Sequence, residues 1–187
     1  MPPPRIPTRE LREEALKLLE GRGAFLDLAR ELTELMRREN IPGVIIGGIA
    51  VYLHGYTRAT EDIDIFIDQT SKNLNDLLIA AGFHFDEQRR KFVRYGVPVQ
   101  FVTRDLVDKP PRRTVEIDGI LTISLADLIG MKLESGSTNL RRTRDLSDVI
   151  ELIHRHGLQS DFARHLDKSL RPTFRALIKA LRQEGGG

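Results

Sequence analysis

Asp62 and Asp64 stand one residue apart in the stretch Asp62-Ile-Asp-Ile-Phe-Ile67, where apolar residues fill the remaining positions. On a strand, side chains alternate, so both carboxylates leave one face while Ile63, Ile65 and Ile67 enter a core from the other. Their Cα atoms then lie about 6.6 Å apart, a span that two inward-leaning carboxylates close on one or two Mg²⁺ ions, with Mn²⁺ as the alternative. Asp68 falls on the same face but roughly 13 Å beyond Asp64, too far to join the same ion.

Gly47 and Gly48 sit where an apolar strand stops and a short apolar segment ending at His54 begins. Glycine lets backbone approach a ligand closely, and free amides at the start of a helix favour phosphate. Arg58 and Thr60, just before the carboxylates, add a fork of donors and a hydroxyl. A cation on Asp62 and Asp64, opposite amides near Gly48, is the arrangement that neutralises a nucleoside triphosphate.

The order Gly47-Gly48, His54-Gly55, Arg58, Thr60, Asp62, Asp64 resembles the minimal nucleotidyltransferases of the polymerase-beta superfamily. Within that superfamily it looks most like the group of AbiEii-type toxins and their bacterial relatives. Asp127-Leu-Ile-Gly-Met-Lys132-Leu, followed by Arg144-Asp145-Leu-Ser-Asp148-Val, is similar to the lysine helix and the following acidic helix of that group. The resemblance covers about residues 43–153. It implies an α+β fold, a small mixed, twisted sheet flanked by helices, with N- and C-terminal helical segments. It also implies Mg²⁺-dependent transfer of an NMP from an NTP to a hydroxyl of RNA, protein or a small molecule, and an antitoxin partner if the chain is a toxin. Under it, Asp62, Asp64 and Lys132 are catalytic, and Asp62 and Asp64 hold the metal. Gly47, Gly48, Arg58, Thr60, Lys132, Asp145 and Asp148 bind the nucleotide.

One position departs from the pattern. The family places a third carboxylate on a later strand after a Gly-Val turn, where this chain reads Gly96-Val-Pro-Val-Gln100-Phe-Val. An amide can offer an oxygen to a metal but carries no charge and accepts no proton at neutral pH. Asp105, Glu116 and Asp118 are nearby acids outside that phrase. The alternative to an enzyme is therefore a catalytically degenerate nucleotide-binding or interaction module of the same fold.

Composition narrows the field further. The 187 residues, 40% of them apolar, suffice for one domain with a core. The absence of cysteine excludes disulfides, thiolate zinc sites and a thiol nucleophile. No run of about 18 apolar residues and no apolar leader are visible, so cytoplasm is the expected location and no membrane partner is expected. Net charge is only +2, yet cations cluster at Arg89, Arg90, Lys91 and Arg94, at Lys109, Arg112 and Arg113, and at Arg141, Arg142 and Arg144. Each cluster is either a solvated face or a border that attracts polyphosphate or an RNA backbone.

Periodicity and breakers place these residues on elements. Helices are predicted over 8–19 and 24–38, a buried strand over 44–46, a helix over 49–54, a strand over 62–67 and a helix over 73–81. Hairpins follow at 92–95 with 97–102 and at 114–117 with 121–123. Ser124 is expected to cap a helix reaching about 135, with Asp127 as its capping-box partner. A helix over 142–156 and another over 162–182, kinked at Pro172, complete the chain. The first seven residues are expected to fray, and the terminal glycines to be disordered. Residues 1–40 form an N-terminal helical segment, 41–124 the core and 125–187 the C-terminal helical part of the same domain. His54 reads as structural, orienting the turn into Arg58, and His154, His156 and His165 as surface residues. Lys132, alone in an apolar stretch, either snorkels outward or faces a charged cleft. Asp145 and Asp148, one turn apart, serve either an ion-pair network or the substrate.

Overall fold

Gly43–Ile46 is a run of four buried residues that forms the central strand β1, buried on both faces as its unbroken apolar character requires. The computed structural model describes residues 9–68, 73–138 and 143–184. Helices α1 (Arg9–Leu19) and α2 (Ala24–Arg38) precede β1, and α3 (Gly47–Leu53) and β2 (Ile63–Ile67) follow it. Next come α4 (Leu74–Ala80), β3 (His84–Asp86), β4 (Lys91–Arg94) and β5 (Val97–Thr103), then the hairpin β6 (Thr114–Ile117) and β7 (Ile120–Ile123). Three helices close the chain: α5 (Leu125–Thr138), α6 (Thr143–His156) and α7 (Arg171–Glu184).

The strands make one seven-stranded mixed sheet in the order β3-β4-β5-β2-β1-β7-β6. β1 runs antiparallel to β2 and parallel to β7, and β2 runs parallel to β5. Helices cover both faces. Ile45, Ile63, Ile65 and Ile67 pack with α1, α2 and α4, while Val44, Ile46 and Phe66 pack with α5, α6 and α7. The alternation expected of 62–67 is therefore realised: the isoleucines serve one core, and Asp64 and Phe66 face the layer of α5 and α6. This is the α+β architecture with a mixed sheet flanked by helices that the sequence implied. Among the described residues no helix is long and apolar enough to cross a membrane.

Three local expectations change. β3 was not expected, because His84-Phe-Asp86 is too short to show alternation and gains its pairing only from β4. Residues 162–182 do not form one kinked helix. A 3₁₀ segment at Ser160–His165 comes first, and α7 begins at Arg171 with Pro172 in its opening turn, where the missing N–H costs nothing. Ser124 Oγ accepts from the Asp127 N–H at 3.2 Å, but the Asp127 carboxylate instead accepts the backbone N–H groups of Arg112 and Arg113, so the reciprocal half of the capping box is absent. The expected fraying at 1–7, the terminal glycines and the cations Arg141 and Arg142 lie outside the described residues.

Candidate active site

β2 positions Asp64 between two strands: its register partners are Ile46 on β1 and Gln100 on β5. Asp62 lies one residue before β2 begins and points to the same end of the sheet. Burial pushes the Asp64 carboxyl up to about 7, and the negative charge of Asp62 adds to the rise. Lys91, at the first position of β4, reaches across to donate to Asp62 Oδ2. Asp62 thus has a cationic partner already, whereas the rise at Asp64 comes from burial and from Asp62 and is only partly offset by Lys91 and Lys132.

The glycines owe their identity to these neighbours. Gly47 has φ +66°, and a Cβ there would lie 2.1 Å from Asp64 Oδ2. A Cβ at Gly48 would lie 2.3 Å from Thr60 Oγ1. The pair was expected to admit a ligand; within the fold it first admits the side chains of Asp64 and Thr60 against the start of α3. Thr60 is buried, and its hydroxyl donates weakly to the Asp62 carbonyl at 3.3 Å, fixing the turn that launches the carboxylates.

Arg58 and Lys132 meet on Asp148. Arg58 donates from Nε to Asp148 Oδ1 at 2.6 Å and from Nη2 to Oδ2 at 2.7 Å, a bidentate pair. Lys132 Nζ lies 2.8 Å from Asp148 and 2.5 Å from Asp145. Asp148 is 1% exposed, so the three charges form an internal clasp tying the turn before β2 to α5 and α6. Asp145 and Asp148 both enter an ion-pair network with Lys132, and Asp145 also lines the cleft. Lys132 does not snorkel outward; it is buried and turned toward the charged cleft.

These residues line a cleft of about 820 Å³. Its wall includes Gly47, Gly48, Arg58, Thr60, Asp62 and Asp64 on the sheet side and Lys132 and Asp145 on the helical side, while Asp148 lies behind it. Sequence reasoning singled out Arg144, which donates to the Ala59 carbonyl at 2.9 Å and lines the cleft. It placed Lys91 and Lys109 only in charge clusters; both belong here, Lys91 on Asp62 and Lys109 in the cleft wall beside Glu134. No local pattern marks a lysine whose partner is 29 residues away. Expected as structural, His54 hydrogen-bonds through Nε2 to the Ile123 carbonyl at 2.8 Å, and burial lowers its pKa.

The sequence matches the family described as nucleotidyltransferase of unknown function, DUF6036, over residues 23–166. The chain belongs to this family. An antigenic nucleotidyltransferase-like protein from Paracoccidioides brasiliensis shares the fold with a TM-score of 0.50 at 20% identity, covering 79% of this chain and 77% of its own. JHP933 from Helicobacter pylori does so with a TM-score of 0.52 at 20% identity, covering 90% and 80%. Among proteins of curated function, none matches the chain by sequence.

For this nucleotidyltransferase family member, the Asp64–Gln100 register puts an exposed amide on the strand next to the carboxylate pair. The donor set is two carboxylates and an amide oxygen, hard ligands that suit Mg²⁺ or Mn²⁺. Among the described residues no group of three acids or histidines gathers as a metal cluster. The fit therefore rests on Asp62 and Asp64 themselves, whose mutual repulsion is the condition a divalent ion relieves.

Proposed function

We propose that this protein transfers a nucleoside monophosphate from an NTP to a hydroxyl acceptor. The observation that carries this reading is Asp62 and Asp64 converging with Gly47 at one end of a cleft that also presents Lys109 and Arg144. Asp62 and Asp64 would hold Mg²⁺ or Mn²⁺, which when bound neutralises triphosphate charge. Gly47 and Gly48 line the cleft, where their backbone would meet phosphate; Arg144, and Lys109 on leaving Glu134 and Asp167, would answer the charge that develops on the departing pyrophosphate. Arg58 and Lys132 share their charge with Asp148, so they shape the cleft field more than they grip a phosphate. In the reaction the acceptor oxygen bonds to the α-phosphorus as the bond to pyrophosphate breaks, and the hydroxyl proton passes to solvent. Catalysis on this plan is mainly positioning and charge neutralisation.

The motif order supports kinship with AbiEii-type toxins, under which the acceptor is RNA or protein and an antitoxin is the partner. The test is incubation of wild type and Asp64→Asn with each α-labelled NTP, Mg²⁺ and total RNA, followed by separation of labelled RNA, labelled protein and free nucleotide. Transfer by wild type that Asp64→Asn loses is the expected result. Equal labelling by both would sink the proposal.

A second reading has its own observation. Gln100 beside Asp64 puts a neutral amide on β5 where the resemblance implies a third carboxylate, which favours a module that binds nucleotide and transfers nothing. On that reading NTP with Mg²⁺ raises the Tm while every acceptor stays unlabelled.

A further inference from the structure

Asp62 and Asp64 are the carboxylates expected to hold a cation, and one of them is already occupied. Lys91 Nζ contacts Asp62 Oδ2, with both side chains about one quarter exposed. Lys91 is no loose surface lysine: its backbone is paired in the ladder opposite Asp86 of β3, and the adjacent Phe92 pairs with Val99 of β5, one residue before Gln100. Across the neighbouring strands β4, β5 and β2, the chain therefore presents a lysine, an amide and a carboxylate at one end of the sheet. The other cations near the site are differently engaged, Arg58 and Lys132 on Asp148, Arg144 on the Ala59 carbonyl and Lys109 on Glu134 and Asp167.

We propose that Lys91 is a built-in cation of this site, standing where a second divalent ion would otherwise be needed, so that the chain holds one divalent ion with its nucleotide rather than two. This rests on the nucleotidyltransferase reading above. The ligands support it. A second ion would have to displace Lys91 from Asp62, and on β5 beside Asp64 it would meet the neutral amide of Gln100 in place of a carboxylate. Lysine suits the role because its ammonium is a compact point charge on a long stem. It acts through Asp62 and is a positioning residue.

The test counts ions. Mn²⁺ is titrated into protein with a non-hydrolysable NTP analogue while free Mn²⁺ is read by electron paramagnetic resonance, and circular dichroism confirms folding of each variant. Wild type and Lys91→Arg are expected to bind one Mn²⁺ with similar affinity. Lys91→Gln, which frees Asp62, is expected to bind its first ion about tenfold more tightly, and Lys91→Gln with Gln100→Asp to bind two. Two ions on wild type would overturn the inference while leaving the proposed function standing, as would unchanged affinity in Lys91→Gln. If wild type binds neither ion nor nucleotide, the functional reading falls and takes this inference with it.

Discussion

Gln100 and Asp64 are direct register partners across the parallel pair β2 and β5. Paired residues on adjacent strands project from the same face, so the amide stands beside the carboxylate at the cleft. The resemblance drawn from the sequence implies a third acid on this later strand, and the residue that stands beside Asp64 there is a neutral amide. Restoring the acid is the most direct question the site allows.

Gln100→Asp should strengthen Mg²⁺ binding and raise any nucleotide transfer, while lowering stability without metal by about 1 kcal/mol at neutral pH through repulsion with Asp64. Thermal melts with and without Mg²⁺, run beside the labelling assay, check both halves. A variant with unchanged metal response would mean that position 100 does not reach the site.

The raised pKa of Asp64 sets a pH dependence with a definite sign. Unfolded, the carboxyl ionises near its ordinary value of 3.8; folded, near about 7. Between those values the native state holds the extra proton, so this group's contribution to stability falls as pH rises from about 4 to about 7 and then levels off. Asp64→Asn should therefore be more stable than wild type at pH 8 without divalent ions, by on the order of 2 kcal/mol, and no more stable at pH 3. Urea denaturation across that range decides it, and a destabilised Asn variant at pH 8 would refute the assignment.

Gly47→Ala should cost about 3 kcal/mol, because the added Cβ meets Asp64 at 2.1 Å on a backbone with φ +66°. Gly119→Ala is the control for backbone strain alone: φ is +74°, yet nothing lies within 4 Å, so about 1 kcal/mol is expected. Similar losses at both positions in chemical denaturation would show that crowding against Asp64 contributes little.

Asp148→Asn should be more damaging than Asp145→Asn. The first leaves Arg58 and Lys132 without the buried carboxylate they share, at a cost of about 3 kcal/mol; the second removes one of two acidic partners of Lys132, at about 1 kcal/mol. Equilibrium unfolding of both variants tests the ranking, and the reverse order would show that the clasp is not centred on Asp148.

Where the governing contacts are local, the sequence was a good guide. The alternation of Asp62, Ile63, Asp64 and Ile65, the Ser124 cap and the hairpin turns at Gly96 and Gly119 depend on neighbours a few residues away, and each element formed close to its expected bounds. The same holds for Gln100: its phrase lay on a readable strand, and the register then put it beside Asp64. Expectation failed where a segment is too short to carry a period, as in β3, and at Pro172, where one residue type is compatible with either a kink or a helix start.

By itself, then, the sequence determined which residues alternate, where most helices begin, the last excepted, and which carboxylates share a strand face, because backbone geometry and apolar periodicity operate within a turn or a pleat. Tertiary structure alone decided how the charges are matched. Lys91 finds Asp62 across 29 residues because β4 is drawn into the sheet beside β5, and Arg58 finds Asp148 across 90 because α6 packs over the face that carries Asp64. Ion pairs at such separations leave no periodic trace along the chain; they exist only once strand order and helix packing have brought distant segments together and removed the water between them.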